Sequence, residues 1–332
     1  MRKLKKLIAF LLLLLVIYLA GPNPATPVYD KNLPVVPATG SLTDFIAKKE
    51  QMHTLRENNE ARIIWANDSS QHVTDYAIVY LHGFSASQQE GEPVHRNTAR
   101  AFGCNLYLSR LAEHGIDTTE QLVNLTVDKY WESAKEALAI GKQLGKKVII
   151  MGTSTGATQA LQLAAAFPDD VAGLILYSPN IAINDPNAWL LNNPWGLQLA
   201  RLVLGSRYNV PKDPRPVYKQ YWNTPYRLEA TVALEEMLET SMNKTTFVKV
   251  KQPLLMLYYY KNEDEQDKVV KVSAMKKMFD QVSTPASIKR SVALPNTGDH
   301  VIASPIKSKD VESVERETKK FLSEILKIQP VH

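Results

Sequence analysis

Gly152-Thr153-Ser154-Thr155-Gly156 follows the apolar run Val148-Ile149-Ile150-Met151 directly, and no other stretch limits the possible folds as much. A G-x-S-x-G pentapeptide behind a buried strand puts its serine on a sharp strand-to-helix turn, with the hydroxyl above the sheet edge. The flanking glycines have a steric reason, because so tight a turn brings neighbouring backbone too close for a Cβ. Five residues of this kind also match by chance, so the context decides. The helix that the turn must feed is legible as Ala157 to Phe167, rich in Ala, Leu and Gln, and Pro168-Asp169-Asp170 ends it.

Upstream, Tyr76-Ala77-Ile78-Val79-Tyr80-Leu81 reads as a buried strand running into His82-Gly83-Phe84-Ser85. A serine that attacks an acyl group needs backbone N–H groups aimed at the developing oxyanion. One comes from the residue after the nucleophile and one from the loop after an earlier strand. Thr155 and Phe84 fill those two places. Taken in order, these motifs resemble the α/β-hydrolase superfamily, and in detail its monoacylglycerol lipase and carboxylesterase branch, over roughly residues 60–328. The resemblance implies an α/β-hydrolase fold: a mostly parallel sheet with helices on both faces and a helical cap insertion. It also implies a serine hydrolase that cleaves carboxylic esters through a Ser-His-Asp triad and an acyl-enzyme, with no cofactor and no metal. His82 would brace the oxyanion loop by hydrogen bonding.

In that family the chain order is serine, acid, histidine, so the partners of Ser154 must follow it. Beyond the elbow stand two histidines, His300 and His332. His332 ends the chain, where fraying would spoil a catalytic geometry. His300 lies in Asn296-Thr297-Gly298-Asp299-His300-Val301, after the strand-like stretch from Ile288 to Leu294, where the resemblance places the base. For the acid, the strand Pro253 to Tyr260 opens into a loop holding Glu263, Asp264, Glu265 and Asp267. The family's acid stands just before a short apolar pair, which Asp267-Lys268-Val269-Val270 matches best; Glu263 and Asp264 are the fallback choices. Asp299, next to the base, is a poor acid because adjacent side chains seldom face each other.

The N-terminus addresses location. Met1-Arg2-Lys3-Leu4-Lys5-Lys6 is basic, and Leu7 to Ala20 is an unbroken apolar run of fourteen residues. A spanning helix wants about 20 apolar residues, and 10–14 is the length of a signal-peptide core. Bulky Tyr18 makes a poor cleavage site before Gly21, which favours retention as a signal anchor. The expectation is a membrane-anchored protein with an extracytoplasmic catalytic domain, at the cell surface or in the periplasm, or a secreted one if the segment is cut. A net charge of +5 with four basic residues in the first six leaves no nucleic-acid footprint on the body. The single Cys104 excludes an intramolecular disulfide and sits in a strand-like stretch as a small buried residue.

Strands are expected near residues 61–66, 76–82, 104–109, 147–151, 172–178, 253–260 and 288–294, with helices over 127–144 and 311–328. The organisation that follows is 1–21 targeting segment, 22–58 linker and lead-in, 59–179 with 253–330 hydrolase core, and 180–252 cap. The cap holds Trp189, Trp195 and Trp222 with Tyr208, Tyr218, Tyr221 and Tyr226, which either line an apolar slot for an ester or lipid-like substrate or pack the cap onto the body. Its Glu229, Glu235, Glu236 and Glu239 would bind a substrate amine in a proline-iminopeptidase-like aminopeptidase, though a solvated helix face explains them equally. A catalytically silent binding protein is the reading from another class, and an intact Ser, Asp, His order speaks against it. The polar loop Gln88-Gln89-Glu90-Gly91-Glu92-Pro93 reads as solvated surface, with binding of a polar head group as the alternative, and Glu113-His114-Gly115 replaces the Gly-His-Gly of monoacylglycerol lipases.

Overall fold

The apolar runs of the sequence assemble into one sheet. The computed structural model describes residues 2–331, so Met1 and His332 lie outside the described residues. In chain order it holds α1 (Arg2–Leu19), α2 (Leu42–Glu50), β1 (Arg62–Ile64), β2 (Thr74–Leu81), α3 (Val94–Ala101), β3 (Asn105–Leu108), α4 (Val127–Leu144), β4 (Gly145–Thr153), α5 (Thr155–Ala166) and β5 (Gly173–Tyr177). Between β5 and the next sheet strand comes an insertion with α6 (Gly196–Leu204), β6 (Tyr208–Asn209), α7 (Pro216–Tyr221), β7 (Tyr226–Arg227), α8 (Leu228–Ser241) and α9 (Lys244–Phe247). The chain then completes β8 (Leu254–Tyr258), α10 (Val272–Gln281), β9 (Lys289–Ala293) and α11 (Val311–Glu324).

Among the described residues the main sheet has seven strands in the order β1-β3-β2-β4-β5-β8-β9, all parallel except β1, which pairs antiparallel with β3. Side chains alternate across it with the strand period of two. Ala77, Val79 and Leu81 of β2 join Val148 and Ile150 of β4 in a core under α4 and α5, with Trp131, Leu138 and Leu161. Ile78, Tyr80, Ile149 and Met151 face the other way, onto Val94 of α3 and Val314, Phe321 and Leu322 of α11. Burial on both faces is why these strands are unbroken apolar runs rather than alternating ones.

Each expected strand overlaps an observed one, and α4 has the expected bounds. The closing helix stops at Glu324 rather than Ile328, and Lys327 stands at φ 58°, a left-handed conformation that cannot continue a helix. The loop from Gln88 is not solvated surface. Gln88, Glu90 and Gly91 are buried in a short helical turn beside α3. Cys104 is buried and free as expected, though it lies just before β3 rather than in it.

No helix among the described residues is long and apolar enough to cross a membrane. The membrane anchor expected over residues 1–21 therefore lacks a spanning helix, because Arg2, Lys3, Lys5 and Lys6 occupy the first turns of α1. The Pro-rich stretch after α1 has no regular structure but is tied to the body. Val28 N–H donates to Asp128 at 2.8 Å, Trp131 Nε1 to the Asp30 carbonyl at 2.8 Å, and Lys135 Nζ to Asp30 and to the Asn32 carbonyl, each at 2.9 Å.

The tightest constraint lies at Gly156. A Cβ there would stand 2.0 Å from the Leu81 carbonyl oxygen and 2.7 Å from that of His82, so α5 leaves β4 in backbone contact with β2. Neither obstacle is a movable side chain. Gly156→Ala is expected to lower the unfolding free energy by about 3 kcal/mol or more in urea titration. Gly40→Ala, which has nothing within 4 Å, is expected to stay within about 0.5 kcal/mol of the parent. Equal midpoints for the two variants would refute the close-approach argument.

Candidate active site

Three of the sequence-selected side chains stand at the C-terminal ends of parallel strands β4, β8 and β9, and the oxyanion loop follows β2 at the same edge. In doubly wound sheets this edge is where ligands bind. Ser154 joins β4 to α5 at φ 53° and ψ −117°, a region that costs a non-glycine residue about 1–3 kcal/mol. The strain is held by fixed partners. Its N–H donates to the Tyr177 carbonyl at 2.8 Å, and its carbonyl accepts from Asn180 N–H at 3.1 Å.

Asp267 and His300 meet. His300 Nδ1–H donates to Asp267 Oδ2 at 2.6 Å, and Asp267 Oδ1 accepts the N–H groups of Val269 at 2.8 Å and Val270 at 3.1 Å. The apolar pair after the acid is thus what folds the chain back onto its carboxylate. The fallback acids do not reach the histidine. Glu263 bonds Tyr260 and Gln266 at the surface, and Asp264 is exposed. Asp299 caps its own turn at Val301 N–H, 3.0 Å away, and stands 3.7 Å from Lys307.

Burial opposes a charge on His300, but the charge and hydrogen bond of Asp267 outweigh it, helped by Glu90 and Asp299, and the imidazole holds its proton above the usual range. The bond to Asp267 leaves Nε2 as the ring atom free to exchange a proton.

The two candidate oxyanion donors are Phe84 and Thr155. Neither N–H has an acceptor among the described residues. Around Phe84 the backbone is pinned on every side. Gly83 N–H donates to Glu90 Oε2 at 2.6 Å, His82 Nδ1–H donates to the Gly83 carbonyl at 2.9 Å, and Ser85 N–H donates to His114 Nε2 at 3.0 Å. His82 Nε2 accepts from Leu111 N–H at 3.0 Å, and His114 Nδ1–H donates to the Ala112 carbonyl at 2.8 Å. Each ring donates at Nδ1 and accepts at Nε2, which only a neutral imidazole can do. Burial enforces that state, pushing His82 down to about 4 and His114 well below its ordinary value. His82 therefore braces the loop as the resemblance implied.

The insertion closes over this edge. Tyr218 and Trp222 stack at 4.9 Å and pack with Ala86 and Val301, next to the oxyanion loop and to His300, while Tyr226 meets Phe84 edge-on at 5.3 Å. Trp189 is exposed and Trp195 instead packs on Gly21. The four glutamates weighed as an amine site do not converge. Glu229 pairs with Arg201 and Arg227, Glu236 accepts from Asn192, and Glu235 and Glu239 line a cleft with Lys244 and Phe247. Burial and neighbouring Glu239 push the Glu235 carboxyl up to about 7.

Sequence reading missed Glu90 and His114 as parts of this site. The Glu113-His114-Gly115 departure pointed at the second without giving it a partner. Among the described residues no cluster of His, Cys, Asp and Glu could hold a metal ion.

A family model described as serine aminopeptidase, S33, matches residues 77–294, from β2 through Asp267 to the end of β9. The chain belongs to this family of α/β-hydrolases. No curated protein matches it in sequence. Among solved structures it is similar to one from the metagenome-derived lipolytic enzymes LipS and LipT, with a TM-score of 0.64 and 16% identity over 82% of this chain and 100% of the other. It is also similar to the monoacylglycerol lipase of Paleococcus ferrophilus (TM-score 0.58, 13% identity, 79% and 98% of the chains). A third is Est1E of Butyrivibrio proteoclasticus with ferulic acid bound (0.54, 18%, 81% and 95%). At such identities the likeness is one of fold.

The Asp267 bond makes a titration test. By NMR, His300 is expected to titrate above the ordinary imidazole value of about 6.5 and to fall in Asp267→Asn. Since the folded value is the higher one, the pair's contribution to stability is full below the ordinary value and fades as pH rises through the raised one. An unchanged His300 titration in Asp267→Asn would contradict the pairing.

Proposed function

We propose that the chain is a serine hydrolase of carboxylic esters, of carboxylesterase or monoacylglycerol-lipase type, working through Ser154, His300 and Asp267. The observation that carries this reading is the 2.6 Å bond between Asp267 and His300 at the same sheet edge as the strained Ser154 elbow. His300 takes the Ser154 proton as the hydroxyl attacks the ester carbonyl, and Asp267 holds the ring tautomer and stabilises the imidazolium. The Phe84 and Thr155 N–H groups receive the oxyanion. The imidazolium then protonates the leaving alcohol, and the neutral ring activates water to release the acid. The ester class is supported by the names of the relatives, which are lipolytic, monoacylglycerol-cleaving or bind ferulic acid.

In this reading the 180–252 insertion is the lid, and Tyr218, Trp222 and Tyr226 form the apolar side of the acyl slot. The family description favours a second reading, removal of an N-terminal residue from a peptide. Pairing of Glu229 with two arginines weakens the glutamate cluster as its amine site. In the same reading the catalytic body lies outside the cytoplasm, with residues 1–21 as its export segment. Support comes from the basic start followed by a short apolar run.

Ser154→Ala is expected to abolish both p-nitrophenyl ester turnover and labelling by a fluorophosphonate probe, and Asp267→Asn to lower kcat by about 10⁴-fold. Undiminished labelling of the alanine variant would overturn the assignment of Ser154. Faster release of aminoacyl anilides than of esters would select the peptidase reading. For location, the full chain is expected in the membrane fraction or, if processed, as an exported product beginning near Gly21. Recovery of an unprocessed chain from the cytoplasm refutes export.

A further inference from the structure

Glu90 is buried beside the candidate site, and the triad does not use it. Its Oε2 accepts the Gly83 N–H at 2.6 Å. Both carboxylate oxygens lie 2.7 and 2.9 Å from where a Gly83 Cβ would stand, and Ser154 Cβ is 3.1 Å from the same point. Carboxylate and serine thus flank one small space, which exists because residue 83 is glycine. The titratable groups that share charge interactions with Glu90 are Tyr80 from β2, Tyr130 from α4, Tyr218 from α7, and His300 and Asp299 from the turn after β9. Glu92 acts on the same Tyr80, and His95 of α3, bonded to the Gln88 carbonyl at 2.9 Å, is kept neutral by burial. Among them His300 is the group that becomes a cation. No Lys or Arg contributes to the charge around the carboxylate.

A buried carboxylate without a permanent counterion is costly. Burial pushes Glu90 up to about 7, with the nearby His300 and the Gly83 N–H acting in the opposite direction. Glu90 in turn helps His300 to keep its proton. Resting on the reading of Ser154, Asp267 and His300 as a hydrolytic triad, we propose that Glu90 is a positioning residue of that reaction: its carboxylate fixes the Gly83–Phe84 peptide so that the Phe84 N–H addresses the oxyanion, and it gives the imidazolium of His300 a further negative charge besides Asp267.

The two duties separate by substitution. Glu90→Gln keeps an oxygen for the Gly83 N–H and removes the charge, whereas Glu90→Leu removes both. With a short-chain p-nitrophenyl ester, Glu90→Gln is expected to lower plateau kcat about tenfold at unchanged KM, because the imidazolium formed during attack is less stabilised. At the same time the acid limb of kcat/KM moves to lower pH, since the free enzyme's neutral His300 now persists further down. The NMR titration of His300, read without substrate, moves the same way. Glu90→Leu is expected to lower kcat further.

A lower plateau on an unmoved acid limb would mean a merely structural Glu90 and would overturn the proposal, as would a variant with the parent's plateau and limb. If Glu90→Gln fails to fold, the parent protein still decides. Its His300 resonance is expected to report a second inflection from Glu90, and a single-step curve refutes the coupling. A parent that turns over neither esters nor aminoacyl anilides, while His300 titrates lower in Glu90→Gln, refutes the hydrolytic reading and leaves the coupling standing.

Discussion

The backbone contact between Gly156 and the Leu81-His82 segment governs much of the molecule. Because α5 starts against β2 with no side chain between them, the turn at Ser154 cannot relax toward ordinary dihedral angles, and the serine is held out over the sheet edge. The same contact sets the distance between the elbow and the loop after β2. Two elements that are far apart in sequence therefore meet with their N–H groups of Thr155 and Phe84 unclaimed by other acceptors. The sheet supplies rigidity for this through burial on both faces of β2 and β4.

Around that contact the site is built from pinned backbone and neutral histidines rather than from exposed charge. His82 and His114 are locked as hydrogen-bond relays, and burial removes their ability to titrate near neutrality. His300 differs from them in bonding a carboxylate at Nδ1, which is what suits it to the proton transfer proposed above. Environment rather than residue type separates the bracing histidines from the one proposed as base.

The sheet was legible because parallel strands buried on both faces are continuous apolar runs, and Ala77 to Leu81 and Val148 to Met151 are short, β-branched-rich runs that each end at a glycine-containing turn. The turn at Ser154 was legible because steric demands leave a glycine on either side of it, and the meeting of Asp267 with His300 because the resemblance puts the acid just before an apolar pair. Helices α3 and α10 were not, since their few apolar residues pack on a sheet face that sequence spacing does not locate. Glu90 was misread for a physical reason: a loop of Gln, Glu and Gly looks solvated, and nothing local reveals that a glycine seven residues earlier makes room for its carboxylate. The N-terminal segment was legible as a basic start and a short apolar run, and α1 covers both without being long and apolar enough to cross a membrane.

The Pro-rich stretch between α1 and α2 behaves as a strap and not as a tether. Val28, Asp30 and Asn32 are fastened along α4 through Asp128, Trp131 and Lys135, and Tyr29 bonds Thr240 of α8 at 2.7 Å. The strap therefore stitches the core helix α4 to the insertion helix α8 from outside. A protein trimmed for crystallisation can lose residues up to Gly21 at little cost to the core, whereas trimming to Gly40 would unfasten the insertion from the helix beneath it and leave Trp131 with an indole N–H facing solvent.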